Sequence, residues 1–448
     1  MQMKKFKSKY VIGILFICII AFFFGSVCYR TYRAQRYFDY GEENVNTSQT
    51  EAPAEAVAAK WESDYPFGEY KFEPSVKTET ADTETVQETA TEGSRYLSLV
   101  NKFKDSIDYY TTRLLPLRMK YVEANALFCK TVGMKTVSGT DSVVVMKNGY
   151  LTFDNSKPED AAAQAESVEW FEKIMKEKGI DFLYVQYPTK EHEGDGQLPD
   201  GVLDAANGTA DSLISGLKKR NVNYFDMRDA LGKKGGDWYA NFFKTDHHWK
   251  PETGVWAAGQ ITERLNSDFG YSLDTSVGNL NNYNVSVYEK YFLGAQGRVV
   301  TLSYADPEDI SLIYPKKATK LTVQYNKDEP TEGNFEDVIF NKEYLNNTDY
   351  YNYSSYSAYL NGNKDLTKIT NGNCKNGKKL LIIGDSYNKC VAPYLAETFE
   401  QTVLLDRRYF DGSVIDYIDK MKPDAVIIAY TATLIGSTEG HNSTFNFE

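Results

Sequence analysis

From Val143 onward, the chain alternates short continuous apolar runs with stretches of helical period. Val143–Met146 is one such run. Asn148-Gly149 is a dipeptide suited to a tight hairpin turn, and Tyr150–Phe153 is the return strand. Ala161–Lys178 predicts a helix closed by Gly179, and Phe182–Val185 a strand stopped by Pro188. A helix over Ser212–Lys219 and a strand over Val222–Phe225 follow. Pro251 suits a first helical position, after which Val255, Ala258, Ile261 and Leu265 line one face. Near the C-terminus, strands Leu380–Ile383, Val403–Leu405 and Ala425–Tyr430 alternate with helices Val391–Phe399 and Val414–Met421. This rhythm predicts an α/β fold with a mostly parallel sheet and helices on both faces.

Residues 271–378 interrupt it. Thirteen tyrosines fall there, densest at Tyr350, Tyr351, Tyr353 and Tyr356, among many asparagines. The composition predicts a β-rich or loop-rich insertion. It leaves two readings open: exposed aromatic and amide groups facing carbohydrate, or ordinary tyrosine packing in a sheet.

Upstream the pattern changes class. Tyr10–Cys28 is almost entirely apolar, about 19 residues and long enough for one helical crossing of a bilayer. Lys4, Lys5, Lys7 and Lys9 precede it, which favours a cytoplasmic N-terminus at 1–9. A cleaved signal peptide is the rival reading, but no small-x-small cleavage site stands out. The acidic, Thr- and Ala-rich stretch within 29–95 has too little apolar surface to order itself and reads as a tether. The folded domain is then 96–448, beginning with helical periodicity over Leu97–Lys130. A net charge of −12 argues against a nucleic-acid partner. Cys129, Cys374 and Cys390 lie outside the anchor with no CxxC spacing, so neither a disulfide framework nor a cysteine metal site is expected. A Cys374–Cys390 bridge and free thiols both stay open.

The candidate chemistry lies in two short segments. Asp246-His247-His248-Trp249 places a carboxylate beside two of the chain's four histidines. Gly384-Asp385-Ser386-Tyr387 follows the buried-strand pattern Leu380–Ile383. A serine hydroxyl needs a neighbouring base to become a nucleophile. Positions i and i+2 of an extended segment face one side, so Asp246 is expected to orient His248, with His247 pointing elsewhere. His248 would then serve Ser386 at the carboxyl end of a strand, where sites collect in open α/β sheets. With His192 and His441 the only other histidines, no metal-ligand spacing is visible, and no cofactor is expected.

Thr245-Asp246-His247-His248-Trp249-Lys250 resembles the signature of the bacterial DHHW family, which is similar to the alginate O-acetyltransferase-like branch of the SGNH hydrolase superfamily. Lys147–Leu151, Tyr184–Lys190, Phe292–Gly297, Leu380–Tyr387 and Asp406–Tyr409 add to the resemblance, which spans roughly 140 to 430. It implies an SGNH-like domain with a catalytic triad of Ser386, His248 and Asp246, in permuted order. The separate oxyanion Gly and Asn blocks of SGNH esterases are absent. The Ser386 N–H is one expected donor, and Tyr387, Arg408, Lys190 and Trp249 are candidates for oxyanion or substrate contact. Taken with the expected anchor at 10–28, the resemblance implies a membrane-tethered, extracytoplasmic O-acyltransferase. It would acetylate a cell-envelope glycan with acyl groups supplied by a membrane-bound acyltransferase. A carbohydrate acetyl esterase and a non-catalytic glycan-binding protein are the alternatives.

Overall fold

The computed structural model describes residues 118–448 apart from 138–141, 155–158, 437 and 439–442. The expected anchor at 10–28 and tether at 29–95 lie outside these residues. Among the described residues, no helix is long and apolar enough to cross a membrane. Chain contacts divide the protein into 1–124 and 125–448, and the account below concerns the second unit.

Strands β1 (Thr136–Val137), β2 (Val143–Val145) and β3 (Leu151–Phe153) form a small antiparallel sheet, with Gly149 in its turn at φ 82°. Helix α1 (Ala162–Glu177) leads into β4 (Asp181–Tyr187). Helix α2 (Ala205–Lys219) starts at Asp204, whose side chain accepts the Asn207 N–H, and leads to β5 (Tyr224–Asp226). Helix α3 (Met227–Lys234) follows, then α4 (Pro251–Phe269), which Gly270 closes in the left-handed region. The interrupting segment supplies the hairpin β6 (Tyr283–Phe292)/β7 (Glu308–Pro315), with helix α5 (Ala295–Val300) between its strands, then β8 (Leu321–Tyr325), β9 (Thr331–Gly333) and β10 (Leu366–Asn371). The last strands are β11 (Lys379–Gly384), β12 (Gln401–Leu405) and β13 (Ala425–Thr431).

Eight strands form one sheet in the order β5-β4-β13-β11-β12-β10-β8-β9. The pairings from β5 to β12 are parallel, and those from β12 to β9 are antiparallel. The sheet is therefore mixed where mostly parallel was expected. The difference comes from 271–378, which extends the central sheet through β8, β9 and β10. Its period-2 burial, as in Ile369 buried between half-buried Lys368 and Thr370, completes a shared core.

Continuous apolar runs mark strands covered on both faces. Leu380, Ile382, Ile427 and Leu183 point into one core under α3 and α4, while Leu381, Ile383, Ile428 and Tyr184 point into a second under α1, α2 and the helix Val414–Met421. The second core also takes Phe445 and Phe447 near the C-terminus. Each fully buried side chain of this size contributes about 1.5–3 kcal/mol. The expected helix Val391–Phe399 shortens to a 3-10 turn, Ser386–Cys390, followed by a single α-turn, Ala392–Leu395. Cys129, Cys374 and Cys390 are separate free thiols.

Candidate active site

The parallel strands end on one side, where β11 delivers Ser386, β12 Arg408 and β13 Thr431. Ser386 opens the 3-10 turn and is half exposed within a buried run from Leu380 to Val391. Asp385 caps that turn: its Oδ1 accepts the Tyr387 N–H at 3.0 Å, and its Oδ2 accepts from Thr431 N and Oγ1 at 2.8 and 3.0 Å. Burial pushes the Asp385 pKa up to about 6, against the lowering pull of the Thr431 N–H bond and the Arg408 charge. Gly384 is required by packing, since a Cβ there would stand 2.2 Å from Asn388 Nδ2. Asn388 spends its amide on Ala429 O (3.0 Å) and Asp385 O (3.3 Å), and its Oδ1 accepts from Tyr187 Oη at 2.7 Å. The turn that presents the serine is thus held by buried bonds on both flanks.

The histidine segment is a bend, not the extended segment expected. Phe242 and Trp249 form an isolated antiparallel bridge, and residues 244–248 turn between them. The i, i+2 relation survives because Asp246 closes an Asx-type turn. Its Oδ1 accepts both the His248 N–H at 2.9 Å and His248 Nδ1 at 2.5 Å. The other ring nitrogen, Nε2, lies 2.6 Å from Ser386 Oγ. Asp246, His248 and Ser386 therefore form one hydrogen-bonded chain. His247 does not point away: its ring centroid lies 3.9 Å from that of His248 and 5.9 Å from Phe153.

Burial alone would raise the Asp246 carboxyl. The His247 and His248 imidazoles and the hydrogen bonds from His248 outweigh it and hold the pKa well below the carboxylate range. Burial is the main effect on His248 and lowers it below 6.5, with Lys389 and Arg408 adding to the shift against the pull of Asp246. A buried neutral imidazole between a carboxylate and a hydroxyl is the arrangement a general base needs. Ligand atoms of Asp246, His247 and His248 lie within 4.8 Å of one another. Both ring nitrogens of His248 and both oxygens of Asp246 already serve the contacts described here, so this cluster fits a proton relay better than a cation.

The insertion contributes more than the sequence indicated. Asp246 Oδ2 accepts the Ala295 N–H at 2.6 Å. Thr245 Oγ1 accepts the Gly294 N–H at 3.1 Å, and Thr245 O the Gly297 N–H at 2.8 Å. Glu308 accepts from Lys244 N, Thr245 N and Thr245 Oγ1 at 2.6–2.7 Å. Tyr356 is buried with its ring stacked on His248, centroids 4.0 Å apart and planes 22° apart. Gly294–Gly297 stood in a family-like segment, but neither Glu308 nor the stacking of Tyr356 carried a local signal. Tyr356 and Tyr359 are core residues, and Tyr350 donates to Lys290 O, whereas Tyr353 is exposed.

The four expected oxyanion or substrate contacts fall out unevenly. Tyr387 Oη donates to His247 O, and its ring is buried. Trp249 is fully buried and donates to Tyr387 O at 3.3 Å. Buried Lys190 gives its three donors to Leu151 O, Lys244 O (3.4 Å) and Gln296 Oε1 (3.1 Å), and burial lowers its pKa to about 8. The donors of all three are taken up by protein acceptors around the loop, as buried donors must be. Arg408 grips Asp406 through Nε (2.9 Å) and Nη2 (2.6 Å), yet its charge acts on both His248 and Asp385. Among the described residues, nothing accepts the Ser386 N–H.

This α/β sheet, with a serine after a central strand and a histidine delivered from another loop, is similar to the fold of the SGNH hydrolase superfamily. The chain resembles the alginate O-acetyltransferase-like branch of that superfamily and the DHHW family. Residues 146–330 match the family model described as SGNH hydrolase-like domain, acetyltransferase AlgX. That span holds Asp246 and His248 and stops before Ser386. The structure of Bacillus cereus PatB1 with a sulfonyl adduct is similar, at TM-score 0.57 and 19% identity, covering 69% of this chain and 99% of that one. A DHHW family protein from Eubacterium siraeum DSM 15702 is similar at TM-score 0.52 and 22% identity, covering 70% and 97%. No curated protein matches the chain.

Proposed function

We propose that the protein is a serine O-acyltransferase that acetylates a cell-envelope glycan outside the cell, held to the membrane by residues 10–28. The observation that carries this reading is the chain Asp246 Oδ1–His248–Ser386 Oγ, with contacts of 2.5 and 2.6 Å.

In this mechanism Ser386 Oγ attacks the acyl carbonyl of the donor while its proton passes to His248 Nε2. Asp246 holds Nδ1–H and stabilises the imidazolium. The carbonyl oxygen becomes an oxyanion that the Ser386 N–H and the Arg408 charge can meet; losing one such donor typically costs ~100- to 1000-fold in rate. Collapse expels the donor's alcohol, which takes the proton from His248 and leaves an acyl-serine. An acceptor hydroxyl then gives its proton to His248 and attacks the acyl carbon. The second collapse releases the glycan ester and returns the proton to Ser386 Oγ. Water in place of the acceptor makes the same site an esterase.

The test uses the full chain in detergent with a chromogenic acetyl ester, with and without oligosaccharide acceptor. Acetyl transfer to the sugar, lost in Ser386→Ala, supports the reading. Hydrolysis that the acceptor does not divert assigns an esterase. Activity undiminished in Ser386→Ala overturns the serine mechanism, and no activity in the wild type favours a glycan-binding role.

A further inference from the structure

Tyr356 lies far from Ser386 in sequence and makes none of the hydrogen bonds that link the three acting groups. It comes from the 3-10 turn Ser355–Ala358 inside the 271–378 segment. That turn is pinned by Ser355 Oγ donating to Tyr291 O at 2.5 Å, and the ring meets Phe243 at 90° with centroids 6.3 Å apart. Its position is therefore set by the insertion and the core, not by His248.

Beside a neutral imidazole, this stack is packing. When His248 takes the serine proton, it places a unit positive charge 4.0 Å from an aromatic centroid, well within cation–π range. The other groups facing His248 are Asp246 and His247 from its own loop, Ser386, Tyr387 and Lys389 from the 3-10 turn, and Arg408 after β12. Asp246 favours the imidazolium, while Lys389 and Arg408 oppose it. The Lys389 ammonium lies 5.0 Å from the same Tyr356 centroid, so the ring attracts both cations.

We infer that Tyr356 is a positioning residue that stabilises the His248 imidazolium through its ring face. Its catalytic consequence rests on the acyl-transfer reading, but its effect on His248 can be measured without turnover.

The experiment titrates His248 by NMR in the full chain, in detergent, with ¹³C-labelled histidine. Only four histidines are present, and the His248 signal is the one missing from His248→Asn. Tyr356→Phe should leave the His248 pKa unchanged, because the ring remains. Tyr356→Leu should lower it by about 0.5–1 pH unit and reduce kcat about 3- to 10-fold at unchanged acceptor KM. Replacing Tyr356 with phenylalanines of increasing fluorination keeps the shape and drains the ring face. The pKa should fall stepwise along that series, which stays informative if the leucine variant does not fold. An unchanged pKa across the fluorinated series overturns the inference. So does a rise in Tyr356→Leu together with a flat series, which would mean that the ring only excludes water. If the pKa shifts as expected while the wild type neither transfers nor hydrolyses acetyl groups, the acyl-transfer reading fails and the role of Tyr356 stands.

Discussion

Gly294 packs so closely on Asp246 that a Cβ at Gly294 would stand 2.2 Å from the Asp246 Cβ and 2.5 Å from its Cα. That approach lets the next N–H, of Ala295, reach Asp246 Oδ2 at 2.6 Å. Gly294→Ala must push the two loops apart and break that bond. Ester turnover should fall about 10- to 100-fold, the kinetic equivalent of one charge-assisted hydrogen bond. Ester kinetics alongside circular dichroism would check this; full activity in a folded variant would mean that the clamp does not orient Asp246.

The two adjacent histidines should respond differently. His248→Ala removes the group between Asp246 and Ser386 and should cost about 1000-fold or more in kcat. His247→Ala removes a ring that packs on His248 and Phe153 and acts on the Asp246 charge but does not link Asp246 to Ser386, and it should cost less than about 10-fold. Equal losses in two folded variants would contradict these separate roles.

The pH profile follows from the direction of the His248 shift. The base must be neutral, so activity falls as pH drops through its pKa. Burial, Lys389 and Arg408 place that pKa below 6.5, so the acid limb of kcat/KM should lie below 6.5. Lys389→Gln removes a like charge and should move the limb to higher pH. Steady-state rates between pH 4 and pH 8, about the range where histidine titrates, would read both values.

Lys190 distinguishes bracing from substrate contact. Lys190→Met keeps the length of the side chain but leaves the acceptors on Leu151 and Gln296 without the lysine donor, while Lys244 O keeps the Leu151 N–H at 2.9 Å. At about 1–3 kcal/mol for each buried unsatisfied group, stability should fall by ~2 kcal/mol or more in urea unfolding. A raised acceptor KM with unchanged stability would restore Lys190 as a substrate contact.

The amphipathic rhythm of strands and helices was legible because burial on both faces leaves unbroken apolar runs such as Leu380–Ile383. The bend at 244–248 was not, because an Asx turn and an extended segment place the same residues at i and i+2. The role of 271–378 was hidden for a different reason. Its tyrosines have surface-like composition, and whether Tyr356 faces sugar or a histidine depends on which loop lies against it. Glu308 had no signal, since an isolated glutamate looks alike whether it meets water or three donors of the Lys244–Thr245 loop.

By itself, the sequence determined the α/β alternation, the serine after a buried strand, and the local pairing of Asp246 with His248, all of which depend on residues within a few positions of one another. Tertiary structure decided the rest. It brought His248 to Ser386 across 138 residues and Ala295 to Asp246 across 49, and it folded the insertion into the sheet and around the base. Such contacts join irregular loops that have no period to read, and only the closed core fixes which loops meet.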